Sequence, residues 1–83
     1  MENITESAGQ KLQQTLDEVN APEDRRIRLS ISEEGGRLTL DQQRPGDQVF
    51  QHDEREVLLI GPDVAERTTG RTLDFDGGQF RFV

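Results

Sequence analysis

A chain of 83 residues with 30% hydrophobic and 33% charged side chains has room for one small domain and a modest core. Its formal net charge of -7 repels phosphate backbones and anionic lipid, which argues against nucleic-acid and membrane partners. It contains no cysteine, so a disulfide framework and a cysteine-based zinc site are both excluded.

A low apolar share can signal disorder, but here the apolar residues fall in periodic blocks, which predicts a folded domain. Ala8, Leu12, Leu16 and Val19 recur at helical spacing and form one apolar stripe. Thr5 or Ser7 caps the start of this helix, and Asn20-Ala21-Pro22 ends it. Gly9 within the stripe costs about 1 kcal/mol relative to alanine. The period then changes to two. Ile27, Leu29 and Ile31 alternate with Arg28, Ser30 and Ser32, Glu34-Gly35-Gly36 reads as a turn, and Leu38 and Leu40 alternate again: an antiparallel hairpin. On such a strand Arg26 and Arg28 are expected to share the solvent face, so that with Arg25 they make only a weak basic patch.

Arg44-Pro45-Gly46-Asp47 is a second turn, Val49-Phe50 a short strand, and His52-Asp53-Glu54 a third turn. The unbroken run Val57-Leu58-Leu59-Ile60 predicts a strand buried on both faces. Pro62 and Asp63 suit the first turn of a short helix, with Val64 and Ala65 inward and Gly70 as its stop. Leu73 and Phe75, a turn at Asp76-Gly77-Gly78, and Phe80 and Phe82 make a final hairpin. The expected fold is α+β and mostly β: a single domain over 1–83 of antiparallel or mixed hairpins, with an N-terminal helix and one short helix. No apolar run approaches the roughly 18 residues of a membrane span and no signal-peptide core follows Met1, so a cytoplasmic protein is expected.

Taken in order, these segments resemble the HesB/IscA-like family, the A-type carriers of iron–sulfur cluster biogenesis. Ile4-Thr5-Glu6-Ser7-Ala8 is similar to that family's I-T-x-x-A start, and Ile27-Arg28-Leu29-Ser30-Ile31 to its L-R-x-x-V strand. The stretch from Arg44 to Asp53 resembles its P-x-x-x-D-x-V-F region. Gly70-Arg71-Thr72-Leu73-Asp74-Phe75 resembles G-x-x-[IL]-D-[YF], and Gln79-Phe80-Arg81-Phe82 the closing G-F-x-[FI] strand. The resemblance runs from about Ile4 to Val83. It implies three cysteine ligands, one in a G-C-x-G loop between the second and third strands and two in a C-G-C tail. Here the loop is shortened to Glu34-Gly35-Gly36-Arg37, and no tail follows Val83. Iron–sulfur clusters need thiolates, so no ligand position carries over.

The remaining candidates are weak. His52, the lone histidine, has only Asp53, Glu54 and Glu56 nearby and reads as a solvated turn residue. Asp74 and Asp76 on one strand face, or Glu33 and Glu34 at the shortened loop, offer at most loose sites for hard cations. Ser7, Ser30 and Ser32 have no evident catalytic partner, and Gly35-Gly36 and Gly77-Gly78 form no phosphate loop. The expectation is therefore a non-enzymatic chain with no catalytic, cofactor or metal residues and no cofactor. It would be a cysteine-free relative of the carriers acting as an accessory, adaptor or regulatory module through protein partners, near iron–sulfur or sulfur metabolism. Weak binding of iron or another hard cation by surface carboxylates is the alternative. With a charge of -7 and no cluster to bridge subunits, a monomer or weak dimer is expected.

Overall fold

Periodicity places the secondary elements, and burial of their apolar faces arranges them. The computed structural model describes residues 1–83. In chain order the elements are β1 (Asn3–Ile4), α1 (Glu6–Glu18), β2 (Arg26–Ser32), β3 (Gly35–Asp41), β4 (Gln48–His52), β5 (Arg55–Ile60), α2 (Pro62–Arg67), β6 (Thr72–Asp76) and β7 (Gln79–Phe82). They form a four-stranded sheet in the order β3-β2-β5-β4 and a three-stranded sheet in the order β1-β6-β7. Two pairings are parallel, β2 with β5 and β1 with β6, and the rest are antiparallel. The α+β, mostly β expectation holds.

The inner strand β5 supplies more of the core than any other element. Val57, Leu58, Leu59 and Ile60 are all fully buried, as the unbroken apolar run implies. Leu58 and Ile60 lie beside Ile27 and Leu29 of β2 and Phe50 of β4, on the face that meets Ala8, Leu12 and Leu16 of α1. Burying a side chain such as Leu12 stabilises the fold by about 2 kcal/mol. The other sheet closes the core through Leu73, with Phe75, Phe80 and Phe82 packed at its margin. Phe75 and Phe80 meet edge to face at 4.8 Å.

Three local expectations are corrected. Val19 is exposed and caps the helix C-terminus rather than extending the stripe, because Asn20 already turns out of the helix at φ 54°. The β2–β3 turn is Glu33-Glu34, not the glycines: Gly35 pairs with Ser32 and Gly36 with Ile31 inside the ladder. Leu38 and Leu40 alternate along β3 as expected and lie exposed at the outer edge of the sheet. The β4–β5 turn consists of Asp53 and Glu54 alone, both at positive φ, which puts His52 within the strand. The two-residue strand β1 was not foreseen. It is too short for periodicity to reveal, and it exists through pairing with Thr72 and Leu73.

Candidate functional site

Arg28 departs most from expectation. It is buried rather than solvated, because the segment after β3 folds back over the β2 face that carries it. Its guanidinium grips Asp47 with two parallel bonds, Nη1 to Oδ1 at 2.9 Å and Nη2 to Oδ2 at 2.6 Å. Its Nε donates to Asp41 Oδ2 at 2.7 Å, and Nη2 also donates to the Gln42 carbonyl. Asp47, whose side chain is only 3% exposed, also accepts from the Arg44 backbone N–H, and Asp41 from the Arg44 side chain. Arg28 belongs to the L-R-x-x-V resemblance and Asp47 to the D-x-V-F resemblance, so two separate motifs meet as one ion pair. The signal was present in the motifs, but single-strand alternation cannot show which loop covers a face. Arg25 and Arg26 are neutralised by Asp24 and Glu56, so the three arginines form no open basic site.

Asp74 is likewise structural. It accepts from Thr5 Oγ1 at 2.7 Å, while Ser7 Oγ donates to the Phe75 carbonyl at 2.7 Å. Thr5 is at the same time the N-cap, receiving the Ala8 N–H, so Asp74 ties the start of α1 to β6. Arg81 lies 3.6 Å from Asp74 and 3.4 Å from Asp76. Glu33 and Glu34 are exposed at the hairpin tip, and Ser32 Oγ accepts the Glu34 N–H. Ser30 remains half-buried on β2.

These contacts shape the response to acid. Hydrogen bonds from Arg28 hold Asp47 and Asp41 below the ordinary carboxylate value of 3.8. The Thr5 hydroxyl does the same for Asp74, and the Gln42 amide for Asp24. A carboxylate lowered in the native state binds fewer protons there than in the unfolded chain. Its stabilising contribution is complete above the unfolded value and is lost as pH falls through the native one. The melting temperature is expected to hold down to about pH 5 and fall steeply below about pH 4. Asp47→Asn should make that acid limb shallower, as circular dichroism melts across pH would show.

His52 is also not the solvated turn residue expected. Its side chain is 11% exposed and lies on α1 at Gly9. A Cβ at position 9 would stand 2.5 Å from His52 Nδ1 and 2.9 Å from its Cβ, so the helix needs glycine there for the ring to fit. Beside it runs an open, wholly polar groove of about 540 Å³ along α1, bounded by Glu6, Gln10, Asp17, Glu18 and Asp53. Asp17 is already paired with Arg55 at 2.7 Å. No three His, Asp or Glu side chains converge as a metal-binding group.

The concavity best placed for function lies between the two sheets, beside the β2–β3 hairpin. Leu29, Leu38, Leu73, Phe80 and Phe82 line about 280 Å³ of mainly apolar space, with Gly36 at its wall and Arg81 at its rim. The family resemblance puts its first ligand in this hairpin, but a two-residue turn of exposed glutamates has replaced that loop. Without a thiolate, the residues present do not fit an iron–sulfur cluster. The geometry suits apolar side chains or an added strand. No helix is long and apolar enough to cross a membrane.

Solved structures resemble this fold over nearly its full length. The crystal structure of Escherichia coli SufA, involved in biosynthesis of iron–sulfur clusters, matches with a TM-score of 0.73 and 20% identity, over 98% of this chain and 82% of that one. IscA crystallised with a [2Fe-2S] cluster gives 0.63 and 26%, over 98% and 82%. The solution structure of an Aquifex aeolicus protein gives 0.66 and 24%, over 96% and 87%. No protein-family model matches the sequence, and no curated protein does.

Proposed function

From a chain that has the IscA/HesB-like fold of the A-type carriers but no thiol, we propose a protein-interaction module that does not itself ligate a cluster. It would serve as an accessory, adaptor or regulatory component linked to iron–sulfur or sulfur metabolism. One observation carries this reading: the frame around the hairpin is retained, while the hairpin closes through Glu33-Glu34 with both carboxylates in solvent. Carboxylates alone are hard ligands and do not hold a sulfide-bridged cluster. What the site offers instead is apolar surface beside an open strand edge, the chemistry of protein contact.

Anaerobic incubation with ferrous iron and sulfide, followed by desalting, tests the reading. The expected product has no visible charge-transfer absorption and no stoichiometric iron; retention of a cluster by the pure chain would overturn it. Isothermal titration with ferrous iron, magnesium and calcium tests the carboxylate alternative. Saturable binding tighter than about 100 μM would favour that alternative.

A further inference from the structure

The outer edge of β3 carries information that the monomer does not use. Ser32 and Gly35 flank a two-residue turn as a hydrogen-bonded pair. Bonded and non-bonded pairs alternate along an antiparallel ladder, so Arg37, Thr39 and Asp41 direct their backbone groups to β2. Gly36, Leu38 and Leu40 therefore turn their N–H and C=O groups outward. The edge is open to pairing: the strand has no proline, its register with β2 is unbroken, and no strand covers its outer side. Leu38 and Leu40 are 39% and 43% exposed, on the face shared with Leu29 and the apolar groove. Arg37, on the opposite face, takes part in none of the ion pairs of the chain.

We propose that this edge pairs antiparallel with β3 of a second copy of the chain, about a two-fold axis at Thr39. In that register Leu38 of each copy lies opposite Leu40 of the other. These are the positions whose backbone groups point outward, so each such pair exchanges both of its hydrogen bonds. Arg37 lies opposite Asp41, an opposite-charge pair on the far face, and the symmetry supplies every contact twice. An axis at Leu38 would place Arg37 opposite Thr39 and Asp41 opposite Gly35, and one at Leu40 would set Leu38 against Gln42. Only the Thr39 axis satisfies the apolar face, the charges and the ladder together. The result is a continuous eight-stranded sheet (two copies of the four-stranded one), with the second strand lying along the mouth of the apolar groove. The -7 charge of each copy opposes association, which makes the pair reversible rather than obligate.

Sedimentation velocity on the full chain from about 10 μM to about 1 mM, with two variants, tests this. Leu40→Pro removes an N–H that points away from β2, leaving the monomer ladder whole. Arg37→Asp sets like charges against Asp41 twice. A concentration-dependent dimer is expected, and each variant should weaken it by about tenfold or more. Amide shifts on dilution should centre on Gly36, Leu38 and Leu40. A monomer at every concentration overturns the proposal and leaves the edge to a foreign strand. A dimer that Arg37→Asp leaves unchanged also overturns it. Because Arg37 is exposed and unpaired, that variant remains decisive even if the proline variant unfolds.

Discussion

Replacing Asp47 with alanine should cost about 3 kcal/mol of folding stability, and the melting temperature of a domain this small should fall by roughly 15 °C. The loss exceeds that of an ordinary ion pair because Arg28 would remain buried with its charge half compensated. Asp41 still holds Nε, but both Nη groups lose their bidentate partner. The Arg44 N–H is also left without its acceptor. Urea unfolding followed by circular dichroism measures the cost. A change under about 0.5 kcal/mol would mean that the pair is solvated rather than gripped. The double variant Arg28→Met/Asp47→Asn should lose less than the sum of the single losses, since it removes the stranded charge along with its partner.

Gly9→Ala should also destabilise the chain, against the usual direction. In an ordinary exposed helix that exchange gains about 1 kcal/mol. Here the new methyl would press on Nδ1, Cγ and Cβ of His52, and the contact with Cβ means that rotating the ring cannot relieve it. A net loss of about 1–3 kcal/mol is expected from the forced separation of α1 and β4. In the His52→Gly background, which removes the His52 Cβ along with the ring, the same exchange should turn neutral or favourable. A double-mutant cycle in urea would then give a coupling of about 1 kcal/mol or more. A stabilising Gly9→Ala in the parent chain would show that the ring does not rest on the helix.

The two predictions concern residues whose roles the sequence left illegible, for one shared reason. Gly9 read as a flaw in a helical stripe and His52 as a turn residue, 43 positions apart along the chain. Their relation exists only once α1 lies across β4. Arg28 read as a solvent-facing member of an alternating strand because alternation tells which residues share a face, not whether that face is wet. Leu38 and Leu40 alternate like core residues, yet their strand lies at the sheet edge, where little covers them.

What the sequence determined by itself was whatever depends on neighbours within a few residues. This covers α1 with its threonine cap, the alternating hairpins, the doubly buried β5 and the absence of any thiol for a cluster. Tertiary structure alone decided the parallel pairings of β1 and β2, the burial of Arg28 between Asp41 and Asp47, and the groove between the sheets. It also decided which face of β3 stayed open. Periodicity is set by local backbone geometry, whereas burial and pairing are set by which distant segment supplies the missing surface.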